Sequence, residues 1–203
     1  MSWIITANGQ EFDYLDPARQ PIDFKVIAHA LSQINRFNGH TQGPYSVAEH
    51  CTRMLDVAYS HSGIGYVDVA DIYAFEMAVL LHDAAEAYIG DIVRPLKLGL
   101  GSVLAEIEER IQAAIHLAAG LPAVLPAHWT AAIKRLDMVM LATEKRDLLY
   151  TPANARPWDC LAGVEPLQQP IRPWPSYVAE ASFLMALDER MAKTGGWPAK
   201  TEA

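Results

Sequence analysis

Apolar residues recur along this chain with two periods, and each change of period marks an element. Residues 3–15 alternate about Asn8-Gly9, with Ile4-Ile5 on one side and Phe12-Tyr14 on the other, which predicts a small β-hairpin. From Asp23 to Phe37 the apolar positions Ile27, Ala30, Leu31 and Ile34 follow helical spacing. A polar, glycine-bearing loop from Arg36 to Pro44 comes next. Ser46-Val47-Ala48-Glu49 then reads as a capping box, so a helix starts there, carries His50 in its first turns, and closes near Ser60 before Gly63 and Gly65. Asp68 or Asp71 opens the next helix, whose apolar run Ala78–Leu81 leads into His82-Asp83 and which Gly90 ends. Leu104 to Ala119 is amphipathic, with Ile107, Ile111, Ile115 and Leu117 set against Glu106, Glu108 and Glu109, and Gly120-Leu121-Pro122 stops it. His128 to Leu149 predicts a further helix. Six prolines between Thr151 and Pro175 exclude regular structure and predict an ordered loop or cover over residues 151–178. A last helix over 179–193 ends at Gly195-Gly196, with a frayed tail. The pattern is that of an all-α bundle of about six helices with an N-terminal hairpin.

Length and composition narrow this picture. At 203 residues the chain fits one domain (1–203) around a core at 23–150, and no internal repeat divides it. A composition of 51% hydrophobic and 20% charged residues is that of a globular protein. The net charge of −8 argues against gripping a nucleic-acid polymer, which needs basic patches. It leaves room for a small phosphorylated ligand, because one metal and a few local cations override the global sign. Cys51 and Cys160 show neither ligand spacing nor a disulfide framework. With no basic-then-apolar leader and no run of membrane-spanning length, a cytoplasmic protein away from membranes is expected.

The candidate chemistry lies in Leu80-Leu81-His82-Asp83-Ala84-Ala85-Glu86-Ala87-Tyr88-Ile89-Gly90-Asp91. An apolar approach carries four ionisable groups inward, and a buried carboxylate is costly unless paired. A divalent ion meets that need, and imidazole beside carboxylate suits a first-row transition metal such as Co, Mn or Zn. On a continuous helix Glu86 would share a face with His82 and Asp83, with Asp91 just beyond on a loop. Asp137, flanked by Leu136 and Met138, is a second carboxylate in apolar surroundings. With His50 it completes two imidazoles and two carboxylates on three helices, the way metal sites are built in helical domains.

The order His50 … His82-Asp83 … Asp137 resembles the HD-domain superfamily of metal-dependent phosphohydrolases. Ile34-Asn35-Arg36-Phe37, Tyr45-Ser46-Val47-Ala48-Glu49-His50 and Gly90-Asp91-Ile92 … Pro95-Leu96-Lys97 resemble one branch of it. That branch holds 5′-deoxynucleotidases of the YfbR type, YfdR-like prophage proteins and phage deoxynucleoside triphosphohydrolases, dATP-specific ones among them. The resemblance spans roughly residues 23–150 and implies hydrolysis of a deoxynucleotide to deoxynucleoside, from the monophosphate or the triphosphate. It makes His50, His82, Asp83 and Asp137 metal ligands and gives Glu86 the attacking water. It sets Arg36 and Lys97 on the phosphate and Asp91 on the sugar 3′-hydroxyl. His40, in the loop beside Arg36, is placed to touch a longer polyphosphate. Helical domains of this type often assemble, so a homo-oligomer is expected.

Other histidines carry weaker arguments. His116 and His128 lie where two-metal HD proteins, including oxygenases with two irons, place extra ligands, but each reads as a surface or cap histidine. His29 and His61 carry no spacing argument, and Cys51 faces away from His50 as packing. Lys145, Arg146 and Asp147 read as a solvated helix end. A non-catalytic nucleotide-binding module on the same fold is the competing class.

Overall fold

The computed structural model describes residues 1–61 and 69–194. Strands β1 (Trp3–Ile5) and β2 (Glu11–Asp13) pair antiparallel with Ile4 opposite Phe12, as the Asn8-Gly9 signal predicts, and Gly9 takes the positive φ of the turn. Eight α-helices follow among the described residues: α1 (Phe24–Gln33), α2 (Val47–His61), α3 (Val69–Leu80), α4 (Glu86–Ile89), α5 (Arg94–Leu100), α6 (Ser102–Ala119), α7 (Ala127–Leu148) and α8 (Ser176–Lys193). The fold is thus mostly α with a small N-terminal hairpin. Gly63, Gly65, Asp68 and Gly195-Gly196, named above as helix boundaries, lie outside the described residues.

Two expectations about helices are corrected. The α1 pattern stops at Gln33 because Ile34–Arg36 is drawn into pairing with Tyr45–Val47: Arg36 N donates to Tyr45 O at 2.9 Å and Val47 N to Ile34 O at 3.0 Å. The helix bearing His82 does not run on to Gly90. It ends at Leu80, and residues 81–85 tighten into turns in which Ala84 N reaches Leu81 O and Glu86 N reaches Asp83 O, both at 3.0 Å. Helix α5, with Pro95 in its first turn, was not legible because its apolar residues face solvent: Leu98 is 78% exposed.

Helix α8 closes the bundle across α1, α2 and α3, burying Ala179, Phe183 and Leu187 on one stripe. The hairpin packs on α4, where the Phe12 and Tyr88 rings stack at 3.7 Å and Tyr14 Oη donates to Tyr88 O at 2.7 Å. It thereby pins α4 to the core. The proline-rich stretch holds only a 3₁₀ turn at Asp159–Leu161, as its composition predicts. It is nevertheless fastened firmly. Leu167 N donates to Thr143 Oγ1 at 2.9 Å, Ile171 N to Asp147 Oδ2 at 2.8 Å, and Trp174 N to Glu49 Oε2 at 2.9 Å. Arg146 donates to the Leu167 and Gln169 carbonyls, and Arg53 lies over Trp174 at 4.4 Å. The end of α7 is therefore an anchor for this segment rather than a merely solvated terminus.

Candidate metal centre

The capped start of α2 sets the first ligand. Ser46 Oγ accepts from Glu49 N at 3.2 Å, and residues 45–51 are buried without a break, which carries His50 into the core. The reciprocal half of the capping box is not made, because the Glu49 carboxylate is taken by Arg53 and Trp174. The turn after α3 sets the second and third ligands. Its tightening leaves Val79 O within 2.9 Å of His82 Nδ1, so in the neutral imidazole that nitrogen carries the proton and Nε2 the lone pair.

His50 is oriented in the same sense from behind. Its Nδ1 donates to Glu144 Oε1 at 2.6 Å, leaving Nε2 as the acceptor. Both Nε2 atoms are buried and neither makes a hydrogen bond. Donor atoms of His50, His82 and Asp83 all lie within 4.8 Å of one another. Asp83 Oδ2 sits 3.1 Å from His82 Nε2 and 3.8 Å from His50 Nε2. Both separations fall under the roughly 4.2 Å that two ligands of one transition ion allow. Two buried acceptors without donors, aimed at one carboxylate, form a set that can hold a metal ion. Asp137 Oδ1 stands 3.5 Å from His50 Nε2, at the edge of this triplet rather than in it.

The remaining predicted residues meet in one cavity of about 800 Å³. Arg36, His40, Asp83, Glu86, Asp91, Lys97 and Asp137 all line it. Arg36 is buried and heavily committed: Nε to Glu144 at 3.3 Å, Nη1 to Asp83 at 3.3 Å, with Asp137 at 3.8 Å from Nη2. Lys97 Nζ donates to Glu108 at 2.7 Å and lies 3.5 Å from Glu86 Oε1, while Glu86 Oε2 makes no hydrogen bond. Asp91 Oδ2 accepts the Phe37 amide at 3.2 Å.

Charge in this cleft is finely set. Burial pulls the His82 imidazole toward neutrality, but the Asp83 carboxylate outweighs it and raises its proton affinity well above the usual range. Burial opposes ionisation of Asp83, yet His82, His50 and Arg36 hold it well below the ordinary carboxylate value. Burial and the negative charges of Asp83 and Asp91 push Glu86 well up, with Lys97 opposing. Burial likewise raises Asp91, against the pull of Arg36. Glu144 would be raised by burial but is drawn below the ordinary value by Arg36 and His50. A cation would compete with these protons for the imidazole lone pairs.

The other histidines divide. His128 is exposed in the first turn of α7, as expected of a surface histidine. His116 corrects the surface reading: it is 5% exposed and shares a cavity of about 320 Å³ with His82 and Asp137. Both of its nitrogens are engaged, Nε2 by Gln112 Nε2 at 2.8 Å and Nδ1 by Ala123 O at 3.3 Å. Gln112 in turn holds Leu81 O at 2.7 Å and Ala85 N at 3.0 Å. His116 thus buttresses the ligand-bearing turn. Cys51 is buried as packing, its Sγ 3.8 Å from His82 Nδ1.

Sequence reasoning missed Glu144 and Glu108. Glu144 is fully buried and lies two turns after Asp137 on α7, so helical spacing from the carboxylate singled out by its apolar neighbours points to it. Glu108 belongs to the acidic face of the amphipathic pattern, and α5 folds back to bring Lys97 onto it.

No protein-family model matches the chain. It is 39% identical to an uncharacterized protein of Rhodobacter capsulatus over 150 residues, covering 72% of this chain and 73% of that one. It is 37% identical to the uncharacterized protein YfdR of Escherichia coli over 164 residues, 81% of each. At that identity and coverage the chain belongs to the family of YfdR.

Proposed function

We propose that this protein is a metal-dependent phosphohydrolase of the HD type, acting at the 5′-phosphate ester of a deoxynucleotide and releasing deoxynucleoside. The observation that carries the reading is the pair of buried, unpartnered Nε2 atoms of His50 and His82 converging on Asp83 at the edge of a cavity that also presents Glu86 and Arg36. His50, His82 and Asp83 would hold the ion, with Asp137 beside them as the fourth ligand. When bound, a divalent ion supplies charge stabilisation at the phosphoryl oxygen and a more acidic water.

The chain's own residues divide the remaining work. Glu86 Oε2 is free to take a proton from water, and its raised proton affinity brings it closer to the working pH of a general base. Lys97, hydrogen-bonded to Glu108 and near Glu86, fixes that carboxyl and adds positive charge to the cavity. Arg36 balances Asp83, Asp137 and Glu144 and lines the cavity, where its uncommitted N–H groups would serve as donors to a phosphate. Asp91, accepting from the backbone after Arg36, retains an oxygen for a sugar hydroxyl. The engaged nitrogens of His116 favour one metal over two.

Product analysis tests this reading. Protein loaded with Mn²⁺, Co²⁺ or Zn²⁺ is incubated with panels of dNMPs and dNTPs, resolving nucleoside and each phosphate species. Nucleoside from dNMP alone identifies a 5′-nucleotidase, and nucleoside from dNTP a triphosphohydrolase. Metal-loaded protein inert on both panels would favour the binding-module class.

A further inference from the structure

The proline-rich segment does more than cover the bundle, because it supplies one wall of the cavity. Trp158, immediately before the 3₁₀ turn at Asp159–Leu161, lines that cavity together with Phe37. Phe37 holds a left-handed backbone (φ 56°, ψ 30°), a conformation that disfavours a side chain of this size and persists only where surroundings impose it. In that conformation the Phe37 amide donates to Asp91 Oδ2 at 3.2 Å. The Phe37 and Trp158 rings lie at a centroid distance of 6.5 Å and an angle of 43°. Rings so inclined form a corner, in which a flat heteroaromatic ring stacks on one face and meets the other by its edge.

Trp158 is held ready for such a ligand. Lys145, which is not among the cavity-lining residues, lies over the indole with Nζ 5.0 Å from its centroid. The chain beyond Trp158 is fastened to α7 and α2 through Leu167, Ile171 and Trp174. Ile92, Leu141 and Leu149 add apolar side chains to the same cavity, and such a lining suits a base.

Resting on the phosphohydrolase reading above, we propose that Trp158 and Phe37 form the nucleobase subsite, making the proline-rich segment a specificity element and the substrate a nucleotide recognised through its ring. The test compares kcat/KM for a dNMP with that for deoxyribose 5-phosphate, which has the same ester and no base. Stacking on one aromatic residue predicts that Trp158→Ala lowers this ratio roughly tenfold, and that Trp158→Phe recovers most of it. An unaltered ratio, or equal losses on both esters, would overturn the subsite. Should the wild-type protein hydrolyse neither ester, tryptophan fluorescence decides the subsite, and the phosphohydrolase reading fails only if the dNTPs are inert as well. Deoxyadenosine or thymidine should quench wild-type emission and deoxyribose 5-phosphate should not. A quenching curve unchanged in Trp158→Ala would reject the proposal.

Discussion

His50, His82 and His116 are all largely buried on helices or turns, yet they differ in what their nitrogens do. The first two spend Nδ1 on Glu144 and on Val79 O, and both Nε2 atoms are left without hydrogen bonds. His116 has both nitrogens occupied, by Gln112 and Ala123. Burial therefore does not distinguish a ligand from a core histidine. The distinction is an unspent lone pair aimed at a shared point, and it is made by the residue that binds the opposite nitrogen. Glu144 does this for His50 while also holding Arg36, so one buried carboxylate on α7 aligns a ligand and a cation together.

The comparison can be broken most severely at Asp83. Asp83→Ala removes the carboxylate on which both imidazoles converge, so metal content should fall to background and turnover with it. Retention of metal at wild-type stoichiometry would remove Asp83 from the site. Glu86→Gln should instead keep the metal while kcat drops by about 10²–10⁴-fold, the scale of a lost general base. Unchanged turnover there would take the water-handling role away from it. Glu144→Gln sharpens the contrast further. Losing the charged partner of His50 should weaken metal affinity about 10–100-fold without abolishing binding, read by chelator competition.

The mildest change is at His116. His116→Gln should leave metal stoichiometry intact and cost about 1–3 kcal/mol of stability, as for a disturbed buried hydrogen-bond pair. Burial lowers its proton affinity in the folded state, so as pH falls the unfolded chain takes the proton first. Its contribution is then complete above the ordinary histidine value of about 6.5 and declines as pH drops through the lower folded value. Melting curves should show the gap between wild type and His116→Gln narrowing from about pH 7.5 to about pH 5.5. A variant that released metal would erase the distinction between the two kinds of histidine.

Much of this protein is determined by short-range pattern. The Asn8-Gly9 hairpin, the Ser46 cap, the amphipathic α6 with its Gly120 stop and the irregular proline-rich stretch each follow from residues within a few positions of one another. The grouping of His50, His82 and Asp83 was also legible, because ligand types in apolar surroundings need a partner wherever they sit. What needed the tertiary structure was every choice made by distant contacts. The break between α3 and α4 places His82 and Asp83 on tightened turns, with Glu86 opening α4, where the local sequence reads as one helix, and Gln112 from α6 holds Leu81 and Ala85. Glu144 and Glu108 gain their roles only when α2 and α5 arrive against them, and Trp158 only when α7 anchors its segment. Local propensity is set by neighbours in the chain, whereas the charge partners and orientation of a side chain are set by neighbours in space. Those spatial neighbours decide which buried nitrogen is left free to bind.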